Sequence, residues 1–181
     1  TGAADFSDSD LGDMTFIAKY APYFDRQSGS GISTGIAVTV PTGPTVHTTH
    51  GEIDSTILQP FLGYQFDMDS LLVFGFFSVA IPSEAQDVTL MFNDVGVGYR
   101  LFDNPGRLVN SIVPALEAHV TTPLNHRGAD SAIQGIDLVV LTAGVHFGMG
   151  QGSLLTLGVA TPVTGPRVFD VEAIVQFNFR F

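Results

Sequence analysis

Glu117 and His119 are separated by a single residue, and so are Asp170 and Glu172. On an extended chain residues two apart point the same way, so each pair presents two ionisable groups to one side. Such pairs suit general acid–base catalysis, and Ser33 and Ser111 are available as nucleophiles. The sequence does not place a Ser beside a His and an acid, as a nucleophilic relay requires, so the chain is not read as an enzyme and no catalytic residue is expected. His47, His50, Glu52 and Asp54 form a tight group in one loop. A metal needs three or four convergent ligands, and solvated loop side chains are the plainer account, so no metal is expected. Asp5, Asp8, Asp10 and Asp13 are spaced somewhat like a calcium loop, but the twelfth position holds Lys19 or Phe16 instead of Glu. Gly148-x-Gly150-x-Gly152 lacks the Lys of a phosphate loop and leads into a strand. No cofactor is expected.

The remaining ionisable candidates are Lys19, Asp94, Arg100, Glu117, His119, His146, Asp170, Glu172 and Arg180, and what unites them is the element that carries them. Each falls on the polar face of an alternating segment. In the last segment Val171, Ala173, Val175, Phe177, Phe179 and Phe181 oppose Asp170, Glu172, Gln176, Asn178 and Arg180, with Ile174 alone out of step. Val139, Leu141, Ala143, Val145 and Phe147 oppose Thr142, Gly144, His146 and Gly148, and Val95, Val97 and Tyr99 oppose Asp94, Gly96, Gly98 and Arg100. Period two is the signature of a strand with one apolar and one polar wall.

Nine strands are expected, over 13–24, 31–41, 55–67, 70–81, 88–102, 108–122, 137–149, 153–163 and 167–181. Most exceed the 5–6 residues usual in soluble sheets and match the roughly 9–11 residues with which a tilted strand crosses a bilayer. Charged residues make up only 14% of the 181, against roughly 25% in soluble domains. The polar walls are built of Gly, Thr, Ser and Ala, which suits a confined lumen. A net charge of −11 excludes a nucleic-acid surface, and the lack of Cys excludes disulfides and thiolate metal sites. A membrane helix does not fit: the uncharged stretch from Leu138 to Pro166 is broken by Gly144, Gly148, Gly150, Gly152 and Gly158 and by Gln151. The expected fold is all-β, an antiparallel up-and-down transmembrane β-barrel forming one domain over 1–181. A soluble sandwich or lipocalin-like barrel is the alternative.

Pro41, Pro82, Pro123 and Pro162 recur at intervals of 41, 41 and 39 residues, each closing an even-numbered strand. The unit is therefore a two-strand hairpin of about 40 residues. Proline removes a ladder donor and belongs where pairing stops. Long loops follow the proline ends and short turns the others, which in an outer-membrane barrel puts the proline ends outside. That parity places the start of the first strand outside as well. With the even strand numbers usual for such barrels, it predicts either at least one missing N-terminal strand, with ten to twelve strands in the complete protein, or closure as part of something larger.

The alternation of Phe177, Phe179 and Phe181 resembles the assembly signal that ends Gram-negative outer-membrane proteins. Gly12-Asp13 leading to Lys19-Tyr20, Val40-Pro41-Thr42-Gly43 and Leu58-Gln59-Pro60-Phe61-Leu62-Gly63-Tyr64 together resemble the outer-membrane family associated with the meta-pathway of phenol degradation. The resemblance implies a bacterial outer-membrane channel or transporter passing small, aromatic or hydrophobic molecules. Its partners would be the lipid bilayer, the outer-membrane assembly machinery through the Phe181 strand, and a small-molecule solute. The nine ionisable residues would line the lumen and set selectivity. The competing account is a barrel whose inward charges pair and fill the interior, leaving it non-conducting.

Overall fold

The computed structural model describes residues 12–43, 46–48, 51–53, 55–128, 136–150, 152–165, 167 and 169–179. Asp5, Asp8, Asp10, His50, Asp54, Arg180 and Phe181 lie outside these. All regular structure among the described residues is strand. The long strands are β1 (Met14–Phe24), β2 (Gly31–Val40), β5 (Ile57–Met68), β6 (Leu71–Pro82), β7 (Leu90–Tyr99), β9 (Val109–Pro123), β10 (Leu138–Met149), β11 (Ser153–Pro162) and β12 (Glu172–Asn178). They follow one another in the antiparallel order β1-β2-β5-β6-β7-β9-β10-β11-β12, an up-and-down sheet whose edges are β1 and β12. Among the described residues those edges do not pair with each other, so the sheet is not closed.

Three short strands were not anticipated. β3 (Val46–Thr48) and β4 (Gly51–Ile53) form a separate hairpin within the loop between β2 and β5, and β8 (Phe102–Asp103) continues the pairing of β9 beyond the end of β7. The β7 ladder on β9 ends at Gly98↔Ala115, next to Pro114, and β8 resumes it at Ile112. A proline lacks the N–H that would continue the ladder. Pro60 likewise sits in the gap between Leu58↔Ile81 and Phe61↔Ser78.

Prolines also set the strand ends. Pro82, Pro123 and Pro162 are terminal residues of β6, β9 and β11, and Pro41 follows β2, all at one end of the sheet. The residue after each of three of them bonds back in the same way: Ser83 N–H to Thr56 O, Leu124 N–H to Thr89 O and Val163 N–H to Val139 O. Because Val163 donates toward β10, the missing donor of Pro162 faces β12. The β11–β12 ladder accordingly stops at Ala160↔Glu172. That is why β12 begins at Glu172 and not near residue 167, as periodicity alone would have it.

The two faces differ in exposure. Inside the strands, the buried residues Ser78, Gly96, Gly98, Val113, Ala115, Pro123, Thr142, Gly148, Ala160 and Pro162 all belong to one face. The opposite face carries Phe16, Leu62, Phe77, Val95, Val97, Leu116, Leu141, Leu157, Val159, Val175 and Phe177, all exposed. A sheet that shelters one face and fans out the other curls around the sheltered one, so the Gly-, Ser- and Thr-rich wall is concave. The conventional arrangement, apolar side chains sealed in a core, is inverted here.

Turns at the end away from the prolines are tight. Asp69 and Ser70 alone connect β5 to β6, with Asp69 at φ 58°; Asp tolerates this left-handed conformation better than most residues. In the β1–β2 turn the Asp25 carboxylate accepts from Gln27 N–H at 2.9 Å and from the Ser28 hydroxyl at 2.7 Å. These bonds, the Gln27 amide first, hold its pKa below the ordinary 3.8. A depressed folded-state pKa stabilises the turn above the unfolded value, and this is lost as pH falls through the folded one. Titration of the Asp25 carboxyl by NMR should show a midpoint below 3.8, and Ser28→Ala should move it upward.

Candidate functional site

The register aligns inward side chains into rows across the concave wall. One row runs Ser33, Gly63, Phe76, Asp94, His119, Val140, from β2 to β10. The next runs Gly31, Gln65, Phe74, Gly96, Glu117, Thr142. A third runs Lys19, Gly35, Phe61, Ser78, Phe92, Thr121. Strand alternation chooses the face, and antiparallel pairing of neighbours brings residues far apart in sequence side by side.

Asp94, Glu117 and His119 thus converge. His119 Nδ1 lies 3.1 Å from Asp94 Oδ1, and His119 Nε2 lies 3.2 Å from Thr142 Oγ1. A carboxylate only accepts, so Nδ1 carries a proton and donates to Asp94, while Nε2 shares a hydrogen bond with the Thr142 hydroxyl. Glu117 Oε2 stands 3.6 Å from the same Nε2, too far for a hydrogen bond. Among the described residues Glu117 has no hydrogen-bond partner. The pairing of Asp94 with His119 is half-buried, each side chain 35% exposed.

Acid, imidazole and hydroxyl in sequence have the connectivity of a nucleophilic relay, with Thr142 in the place of the Ser that the sequence lacked. The surroundings oppose that chemistry. Acyl transfer needs donors aimed at a developing oxyanion, whereas the β9–β10 ladder is continuous here and the nearest additional group is the Glu117 carboxylate. Thr142 is itself buried. The three residues form a hydrogen-bonded brace that orients the His119 ring across β7, β9 and β10.

Between this cluster and β1 lies an open concavity of about 600 Å³, lined by Lys19, Ser33, Phe61, Gln65, Phe74, Phe76, Asp94, Glu117 and His119 among others. The rings of Phe61 and Phe76 stack with centroids 5.7 Å apart. Phe61 occupies the space above Gly35 and Phe74 the space above Gly96. Glycine leaves the sheet bare there, and a cross-strand aromatic ring covers it. Beside it on the same wall, Gln59 Nε2 donates to the fully buried Ser78 hydroxyl at 2.9 Å.

No family model, curated protein or solved structure matches the chain. Geometry therefore carries the site by itself.

The other expected residues lie elsewhere. Arg100 follows the end of β7, where its guanidinium bonds the Asp67 carboxylate and the Asp69 carbonyl and approaches Asp103 at 3.9 Å. It fastens the turn end of the sheet and does not face Asp94 across a constriction. His146 Nδ1 is 2.8 Å from Thr156 Oγ1 on the same concave wall, nearer the turns. Asp170 is exposed ahead of β12, its carbonyl accepting from Thr161, and Glu172 is exposed at the first residue of β12. Lys19, on the edge strand, is exposed and makes no ion pair among the described residues. Sequence reasoning missed Phe61, Phe74, Phe76, Gln65 and Thr142. Both faces of 70–81 are apolar, so alternation there carries no contrast; the usable signal was glycine at 35 and 96, bare positions awaiting a ring.

Proposed function

We propose that this protein is a bacterial outer-membrane β-barrel that provides passive passage for small molecules along its concave wall. The observation that carries the reading is the inverted sheet: a broad exposed face of Val, Leu and Phe opposite a sheltered face of Gly, Ser, Thr and paired charge. In lipid every backbone polar group must be satisfied within the sheet, and an apolar exterior is then stabilising. Strand lengths of 10–15 residues in β1 to β11, the three short strands aside, suit a tilted crossing. β1 and β12 run in the same direction, so a further strand between them would allow antiparallel closure. The proline ends would face outward and Phe177 and Phe179 would contribute to the assembly signal, in keeping with what the family resemblance implies.

The test is reconstitution of the full-length protein into liposomes, read by swelling in small uncharged sugars. Passage should appear in proportion to protein; an impermeable reconstituted protein would overturn it, and solubility without detergent would overturn the membrane assignment. The second reading is a non-conducting binding barrel. It is favoured by the aromatic crowding of Phe61, Phe74, Phe76 and Phe92 on the inner wall, and the same swelling measurement separates the two.

A further inference from the structure

We propose that the concavity between β1 and β9 binds an organic ammonium ion, its N–H groups donating to Glu117 and its apolar body lying against Phe61, Phe74 and Phe76. The inference rests on the reading above in taking the concave wall as the solute path, and it names the class of solute.

Glu117 supplies the polar half of the argument. Its side chain is 26% exposed and has no hydrogen-bond donor among the described residues. His119 Nε2 stands 3.6 Å from it, beyond hydrogen-bond distance, and is already hydrogen-bonded to the Thr142 hydroxyl. A partly desolvated carboxylate without a donor is costly, and a ligand that supplies N⁺–H recovers a charge-assisted bond. Neither an anion nor a neutral hydrocarbon can do this.

The aromatic half stands on separate geometry. Phe74 reaches over Gly96, and Gly96 is paired directly with Glu117, so only a bare glycine separates ring from carboxylate. Phe76 is paired with Asp94 in the adjoining row and stacks on Phe61. All three rings line the concavity, and cations are attracted to the faces of such rings. The volume of about 600 Å³ lies within the roughly 300–1,000 Å³ of small-molecule sites.

Asp94 and Glu117 are together at the β7–β9 side with His119 between them, whereas Lys19 on β1 is paired with Gly35 beneath the Phe61 ring. The carboxylates are therefore gathered at the Phe74 and Phe76 side of the concavity, in keeping with the net charge of −11.

The experiment is calorimetric titration of the full-length protein in a non-ionic detergent with benzylammonium, benzyl alcohol and benzoate, empty micelles serving as blank. Benzylammonium should bind at least about tenfold more tightly than benzyl alcohol, and benzoate more weakly than either. Glu117→Gln should remove that tenfold preference, weakening benzylammonium far more than benzyl alcohol. Phe74→Leu should weaken both benzylammonium and benzyl alcohol severalfold. Circular dichroism checks that each variant is folded; should Glu117→Gln not fold, the wild-type preference series and Phe74→Leu decide. Benzyl alcohol or benzoate binding as tightly as benzylammonium, no binding by any of the three, or an unaltered preference in folded Glu117→Gln would overturn the inference. Liposomes made permeable by a protein indifferent to benzylammonium would refute this site and leave passage standing. Benzylammonium binding with impermeable liposomes would refute passage and leave the site.

Discussion

Leu116→Arg should prevent or severely impair folding into lipid vesicles. Leu116 is the midpoint of β9, lies on the outer face between Val97 and Ala143, and is 62% exposed. If hydrocarbon touches that face, an Arg at mid-depth costs about 2–4 kcal/mol. If water touches it, a surface substitution of this kind changes stability by only about 0.5 kcal/mol. Urea titration of folding into vesicles separates these outcomes. Gln176→Arg, on the concave face of β12, serves as the control and should fold as the parent does. Unimpaired folding of Leu116→Arg would remove the physical basis for placing the sheet in a membrane.

A comparably large loss is expected for Gly35→Val, for a reason independent of solvent. A Cβ at residue 35 would lie 2.2 Å from the Ala18 carbonyl oxygen and 2.5 Å from Phe61 Cζ. The ring has room to swing, but the carbonyl belongs to the β1–β2 ladder and moves only if Lys19↔Gly35 and Ala18↔Ile36 open. Overpacking against a fixed backbone costs about 3 kcal/mol or more, and here it would free the edge strand. Gly96→Ala meets only the Phe74 ring and should cost less, and Gly128→Ala, with nothing within 4 Å, should be neutral. Urea unfolding of the three variants in detergent checks the order; equal stability of Gly35→Val and Gly128→Ala would show that the close approach is not rigid.

The architecture was largely legible without coordinates. Nine long strands appear within a few residues of their expected bounds, and the proline period marks one end of the sheet, because backbone pleat and a missing N–H are local properties of the chain. Differences arise where pairing has more than local cause. β12 starts late because Pro162 on β11 faces it without a donor, and β8 exists because Pro114 interrupts β9 against β7. The hairpin of β3 and β4 interrupts a segment that periodicity left as plain loop.

The site was less legible, and particular residues explain why. Alternation put Arg100 on the same wall as Asp94, and its guanidinium does bond Asp67 of that wall, but beyond the end of β7 it is held at the turns and not beside Asp94. Alternation also put Glu117 beside His119, and there it was sufficient because both lie within one strand. It could not join them to Asp94 and Thr142, which are 25 and 23 residues from His119.

The amino-acid sequence by itself determined which side chains share a face and where most strands stop, because both follow from a two-residue repeat and from proline chemistry acting within a few residues. Only the tertiary structure decided which face is concave, which charges are neighbours and that the Phe74 ring roofs Gly96 beside Glu117. Those outcomes depend on register between strands, where a shift of one residue would turn Asp94 away from His119 and Phe74 away from Gly96.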